Sequence, residues 1–220
     1  MNILIMGVAG SGKGTMSKYI KEKYHIPHIS SGEMFREAIR NKSELGVLAK
    51  QYIDHGLLVP DDVTIKMIQE RLSRPDCANG YLLDGFPRTM IQTGAFEKSM
   101  KDLDREVNCV INLNVDFDIL AKRITGRRVC PSCGAIFNIY NHKPKNESIC
   151  DFCKGPLKQR SDDTLKQLEI RLSEYEHLTK PVIDFYTGKG DVLQIDASKS
   201  VEEVWEQLEL ELEKKDAYNN

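Results

Sequence analysis

Apolar and polar residues alternate in blocks along the chain, and the period within a block changes from one block to the next. Residues 2–6 form a short apolar run that stops at a glycine-rich turn, the pattern of a buried strand. From Lys13 the period turns helical, with Met16, Tyr19 and Ile20 on one face. Residues 26–29 predict a second strand. Two amphipathic segments, 32–40 and 44–55, follow on either side of Asn41-Lys42-Ser43, and Asp62 is expected to cap a helix that stops before Pro75. The alternation then repeats, with strands over 81–84, 107–115 and 192–195 and helices over 89–103, 116–125 and 201–214. The polar stretch 214–220 is expected to fray.

Strands alternating with helices predict an α/β fold, a doubly wound parallel sheet of about five strands covered on both faces. Such sheets bind ligands at the carboxyl ends of their strands, and the motifs at Gly7, Ser30 and Asp84 end three of the predicted ones. One region breaks the rhythm. Between about 127 and 159 helical period is lost, and four of the six cysteines and three of the eight prolines gather there, as in an inserted subdomain. A long amphipathic helix over 162–186, with a break near Pro181, returns the chain to the core. Gly188-Lys189-Gly190 precedes a strand rather than a helix and reads as a turn.

Length and charge narrow the picture further. With 220 residues and 40% hydrophobic content, the chain can bury a sizeable core, which excludes disordered and fibrous classes. No apolar run approaches the roughly 20 residues of a membrane span, and the first residues lack a basic, cleavable leader, so the expected location is cytoplasmic. A net charge of −2 gives no overall attraction to nucleic acid or anionic membrane, and any anion site must come from local clustering. In a reducing compartment the cysteines are expected as ligands or buried thiols. Cys77 is read as a loop residue and Cys109 as a buried strand residue. The five histidines, 25, 28, 55, 142 and 177, show no ligand spacing and read as surface or capping residues.

Between the first strand and the first helix lies Gly7-Val8-Ala9-Gly10-Ser11-Gly12-Lys13-Gly14-Thr15. Glycines there permit positive φ and let a polyphosphate approach the backbone amides. The helix beyond supplies unsatisfied N–H groups and the positive end of its dipole. Lys13 can reach terminal phosphates, and the Thr15 hydroxyl can bind magnesium or its waters. The general phosphate-loop pattern has that hydroxyl one place earlier, where Gly14 stands. Asp84, ending a strand beside the loop, is a candidate to orient magnesium-bound water, its structural alternative being the turn before Gly85. Farther on, Cys130-Pro131-Ser132-Cys133 and Cys150-Asp151-Phe152-Cys153 are two C-x-x-C knuckles with sixteen residues between them, the spacing of a structural zinc ribbon. Four thiolates close a tetrahedral shell and staple a subdomain too small to bury much core. The same four ligands also suit iron.

Gly-Lys-Gly-Thr in this setting resembles the nucleoside monophosphate kinases, the adenylate kinase family in particular. The resemblance extends through nearly the whole chain: Ile29-Ser30-Ser31-Gly32-Glu33-Met34-Phe35-Arg36, Gly56-Leu57-Leu58-Val59-Pro60-Asp61, Asp84-Gly85-Phe86-Pro87-Arg88-Thr89 with Gln92, Thr125-Gly126-Arg127-Arg128-Val129, and Gln159-Arg160-Ser161-Asp162-Asp163 with Arg171 eight residues on. It implies a core of residues 1–29, 60–126 and 164–220, a helical AMP-binding segment 30–59, and a zinc-binding lid 127–163. It also implies a monomer catalysing reversible, magnesium-dependent transfer between ATP and AMP to give ADP. Arg36, Arg88, Arg160 and Arg171 would bind the acceptor or transferring phosphates, while Ser31, Leu57, Leu58, Val59, Gly85, Phe86, Pro87 and Gln92 would line the AMP site. Gly10, Ser11, Gly12, Lys13, Gly14 and Thr15 would hold ATP with Arg123 and Arg127, and Ile136, Phe137 and the backbone near Lys199 would lie beside adenosine.

Departures from the family pattern are Ser31 for the usual threonine, Glu33 for the usual aspartate, Ala9 where proline is common, and Leu165 and Lys166 for acidic residues after Asp163. The last bears on how the lid hinges rather than on what it binds. The chemistry asks for positioning and charge neutralisation, since the AMP phosphate is its own nucleophile and no general base is needed. Arginine suits that task because it stays charged and offers a planar fork. Arg123 and Arg127, four apart, share a helical face if the helix extends that far, and Arg160 and Arg171, eleven apart, align if both are helical. Two other readings stand beside this one. One is a kinase of the same family using GTP, UMP or CMP, against which Gln92 argues by offering an amide to an adenine edge. The other is a zinc-ribbon nucleic-acid-binding protein switched by ATP, for which a basic stripe is expected.

Overall fold

The computed structural model describes residues 1–219 of the chain. Its main sheet is parallel throughout and is built from β1 (Asn2–Met6), β2 (His28–Ser30), β3 (Tyr81–Asp84), β4 (Cys109–Asn114) and β7 (Val192–Asp196), in the order β2-β3-β1-β4-β7. The chain leaves β1 toward β2 and β3 on one side, then crosses to β4 and β7 on the other. The switch point therefore lies beside β1, where such sheets open a crevice. Central strands are apolar on both faces, as burial between helices demands: Ile3, Leu4, Ile5, Leu82, Leu83, Val110 and Ile111 are all fully buried.

Helices cover each face with a separate core. On one, α1 (Lys13–Tyr24) and α9 (Val201–Asn219) pack Met16, Ile20, Val204, Leu208 and Leu212 against Ile3, Ile5 and Ile111. On the other, Leu4, Leu83 and Val110 meet α2 (Ser31–Arg40), α3 (Glu44–Ile53), α4 (Asp61–Leu72) and α5 (Met90–Asp102), through Phe35, Ala49, Ile68, Phe96 and Met100. After β4, α6 (Phe117–Gly126) leads into a small antiparallel ribbon, β5 (Arg127–Val129) and β6 (Ile136–Asn138). That ribbon and the turns following it close over their own five-residue core, Cys130, Ala135, Phe137, Cys150 and Leu157. The chain returns through α7 (Leu165–Glu174), a π-turn (Tyr175–Thr179) and α8 (Lys180–Gly188). No helix among the described residues is long and apolar enough to cross a membrane.

Several element expectations need correction. The second strand starts two residues later and ends one later than its apolar run suggests, because pairing His28↔Leu82 and Ser30↔Asp84 fixes the register. Asp62 does not cap α4; Pro60 occupies that position, and Asp61 and Asp62 face the helix dipole from its first turn. The return helix starts at Leu165, capped by the Thr164 hydroxyl accepting from the Gln167 N–H, and Asp162 and Asp163 lie before it. Its irregularity falls just ahead of Pro181, in a π-turn. A proline removes one backbone donor, and a π-turn is one way a helix absorbs that loss. Cys77 is fully buried in a short 3₁₀ turn rather than held in an open loop. The polar tail is helical through Asn219, since no glycine or proline interrupts it after Ser200, and Asn220 lies outside the described residues.

Candidate active site

The loop after β1 ends at Gly12, whose φ of 100° places it in the left-handed region and starts α1 with no side-chain cap. Glycine is required for that conformation. The first N–H groups of α1 are left for a ligand. Beside them the Ser11 hydroxyl, almost fully buried, has no hydrogen-bond partner among the described residues. Lys13 folds back over the loop, its Nζ donating to Gly7 O at 2.7 Å and Val8 O at 3.0 Å. Burial lowers its pKa most; Asp84 opposes that shift, and Arg88, Arg127 and Arg171 add to it, leaving the ammonium at about 8.

Asp84, buried at the end of β3, faces this lysine. Burial alone would raise its pKa, but His28, Lys13 and Arg88 outweigh that effect and hold the carboxyl below its ordinary range. His28 Nε2 lies 3.4 Å from Asp84 Oδ2, close enough for an ion pair but too poorly aligned for a directed hydrogen bond. At Gly85, with φ 77°, an added Cβ would fall 2.8 Å from both Arg88 Nη2 and Ser31 Oγ. In that tight corner Gly85 O accepts from Arg88 Nε at 2.9 Å and from the Ser31 hydroxyl at 2.7 Å.

The cations converge from five separate stretches of chain. Lys13, Arg36, Arg88, Arg123, Arg127, Arg160 and Arg171 all line one cavity of about 1350 Å³, together with Ser31, Leu57, Leu58, Val59, Ile136 and Lys199. Four of the guanidiniums rest on carboxylates, and Arg88 rests on the Gly85 carbonyl. Arg127 is paired with Asp163 and Arg171 with Asp162, both acids being buried. Arg36 Nη2 and Arg160 Nη2 both donate to Glu33 Oε1, at 2.6 and 2.9 Å. Burial first, then mutual repulsion, pushes Arg160 and Arg171 down to about 9, and burial also lowers Arg88 and Arg123. A set of cations this tightly drawn together calls for a ligand with several negative charges.

Two residues of the expected AMP site do not line the cavity, and two that do line it are held by other contacts. Phe86 and Pro87 are buried away from it, Phe86 packing edge-on against Phe96. Phe137 lies in the small ribbon core, stacked on His142 at 5.5 Å. Gln92 is engaged at both ends, its Oε1 accepting from the Arg88 N–H and its Nε2 donating to Asp61, each at 2.8 Å. Arg127 belongs to β5 and not to α6, so the shared helical face with Arg123 does not exist. Arg160 likewise precedes α7; what brings it toward Arg171 is the turn through Asp162 and Asp163. The sequence reading missed His28 and gave Glu33, Asp162 and Asp163 no role. His28 stands two residues before Ser30 on one strand, a spacing that puts both on the same face and was the available signal.

The four knuckle cysteines form a second site. Their sulfurs all lie within 4.8 Å of one another, and this is the one metal-capable cluster of such residues among the described residues. The two knuckles share one backbone pattern. Gly134 and Lys154 N–H groups donate to the carbonyls of Cys130 and Cys150, and the Cys130 and Cys150 N–H groups donate to Ala135 and Gly155. Two equivalent turns bringing four thiols to one point fit a closed tetrahedral metal.

Comparison with known proteins agrees with the geometry. The family model described as Adenylate kinase matches residues 5–191. The chain is 46% identical over 208 residues to an adenylate kinase of Thermoanaerobacter sp. (strain X514), covering 94% of this chain and 96% of the relative. It is 46% identical over 210 residues to one of Bacillus cytotoxicus, covering 96% and 97%. A similar relation holds to one of Caldanaerobacter subterraneus subsp. tengcongensis, 46% over 208 residues and 94% of each chain.

Proposed function

This chain belongs to the adenylate kinase family, and from that premise we propose how its cleft performs the reaction. The enzyme is a phosphotransferase that interconverts ATP and AMP with two ADP. A phosphate oxygen of AMP, already ionised at neutral pH, attacks the γ-phosphorus of ATP. A new P–O bond forms as the bond to the bridging oxygen breaks, and ADP leaves with that electron pair. No proton has to be moved, so catalysis reduces to alignment and to neutralising charge on the transferring group.

The convergence of six arginines and Lys13 on one cavity carries this reading. ATP takes the loop Gly10, Ser11, Gly12, Gly14 and Thr15, where the bare N–H groups of α1 and the Ser11 hydroxyl receive phosphate oxygens. Lys13 turns from Gly7 O and Val8 O to the terminal phosphates. Arg123 and Arg127 flank the donor phosphates, with Ile136, the Phe137 backbone and the chain near Lys199 beside the adenosine. AMP lies between Ser31, Leu57, Leu58, Val59, Gly85 and Gln92, with its phosphate against Arg36 and Arg88. Arg160 and Arg171 close on the transferring group. Phe86 and Pro87 shape the corner before Arg88 without touching nucleotide. Asp84, through water, and the Thr15 hydroxyl would hold the magnesium that accompanies ATP, which would supply charge neutralisation at the donor phosphates; the ionised, buried Asp84 fits that role. Cys130, Cys133, Cys150 and Cys153 hold zinc as a structural staple. The core comprises 1–29, 60–126 and 164–220, with 30–59 closing over AMP and 127–163 over ATP. Since one chain supplies a full set of cations to the cleft, a monomer suffices for the reaction, and we place it in the cytoplasm without a nucleic-acid or membrane partner.

A coupled assay for ADP from ATP, AMP and magnesium tests the reading, with Arg88→Ala beside the parent chain. Removing one donor to developing charge typically costs about 3–4 kcal/mol of barrier, so turnover should fall at least about a hundredfold in a variant whose circular dichroism is unchanged. Near-normal turnover would remove Arg88 from the reaction.

A further inference from the structure

The π-turn between α7 and α8 is fixed by side-chain bonds that a helix does not need. At its start, the Tyr175 hydroxyl donates to Asn112 Oδ1 at 3.1 Å. Asn112 is itself buried at the carboxyl end of β4, and its Nδ2 donates to Asn114 Oδ1 at 3.1 Å and Gln194 Oε1 at 2.9 Å. Its acceptor is thus held toward the tyrosine by β4 and β7. At the other end of the turn, the buried Thr179 hydroxyl donates to the backbone oxygen of Arg88 at 3.1 Å. The Tyr175 backbone N–H donates to Arg171 O.

Each end of the turn is therefore one hydrogen bond from an arginine assigned to phosphate. A π-turn inserts one residue, which rotates the helix after it by about 100° relative to an uninterrupted α-helix. That rotation lets α7 present Arg171 to the cleft while α8 buries Val182, Ile183 and Tyr186 in the core. Without the inserted residue, one face or the other would be misaligned. We propose that Tyr175, anchored on Asn112, and Thr179, anchored on the Arg88 carbonyl, are positioning residues that lock the π-turn and so hold Arg171 and Arg88 in register for phosphoryl transfer. The proposal rests on the reading of those two arginines as phosphate ligands.

An arginine shifted by a fraction of an ångström still attracts a nucleotide but no longer meets charge as it develops, so the loss belongs in kcat rather than KM. Thr179→Val and Tyr175→Phe remove one hydroxyl each while keeping the shape of the side chain. Both should lower kcat by about tenfold or more, with KM for ATP and AMP changed by less than about threefold. Thr179→Ser, which keeps the hydroxyl, should retain the parent kcat, a rescue that loss of packing alone would not give. Values of kcat within about twofold of the parent in both hydroxyl-deleted variants would overturn the proposal, as would a serine variant as slow as the valine one. Arg171→Ala in the same series separates the two levels. If it is slow while the hydroxyl variants are normal, positioning fails and the arginine assignment stands; if it turns over normally, the assignment itself fails.

Discussion

Lys13 shows how the cleft sets the state of its own residues. Burial, against Asp84 and with Arg88, Arg127 and Arg171, leaves its folded-state pKa at about 8, below the ordinary 10.5. Between those values the unfolded chain holds a proton that the folded chain has released, so stability rises with pH across that window; the destabilising contribution is complete below about 8 and is relieved toward 10.5. A polyphosphate reverses the balance by favouring the charged ammonium. Titration of magnesium-ATP into the enzyme at pH 8, in two buffers of different ionisation enthalpy, should therefore show net proton uptake. Lys13→Met should abolish it, and uptake that persists in the variant would assign the proton elsewhere. The lysine, its loop and the arginines were all legible in the sequence, because glycine spacing and motif order mark them directly. Their partners were not. Glu33 can meet Arg36 three residues on, but its second arginine lies 127 residues away, and His28 facing Asp84 depends on the register of β2 on β3, which its spacing from Ser30 does not give.

At the scale of elements, alternation of strands and helices was readable because the central strands carry apolar runs and several helices start at a capping side chain, as with Thr89 before α5. The π-turn was not, because only the position of Pro181 is written in the chain and the way a helix absorbs it is settled by packing. The ribbon of β5 and β6 was legible only as a loss of period with four cysteines. Its core of five residues, two of them cysteines, is too small to be stable unaided. Exhaustive removal of metal should thus lower the melting temperature by roughly 5 °C, the shift that about 2 kcal/mol produces in a chain of this size. Far-UV circular dichroism should keep most of its helical signal, since the sheet and its helices share no core residue with the ribbon. A demetallated protein that melts identically would end the staple interpretation.

For the whole molecule, the ties across the cleft are few and polar. Arg160 Nη2 meets Glu33 Oε1 at 2.9 Å, and Ser161 Oγ donates to Asp54 Oδ1 at 3.1 Å. Both link the segment before α7 to the α2–α3 segment, and since Glu33 is half exposed and Asp54 partly so, they add little stability of their own. Stronger bridging has to come from a ligand that spans both sides. A dinucleotide joining two adenosines through a polyphosphate, at a hundred times its Kd, should stabilise the fold by about 2.7 kcal/mol. Arg160→Ala should shrink the accompanying rise in melting temperature, and an equal rise in that variant would remove Arg160 from the bridge. The gathered guanidiniums also bear on how a nucleotide arrives. Cations outnumber carboxylates along this crevice, and such an excess enriches mobile counter-ions. Substrate entry is then expected to be an exchange of small anions for nucleotide. Its speed should track the ionic strength of the medium more closely than the viscosity.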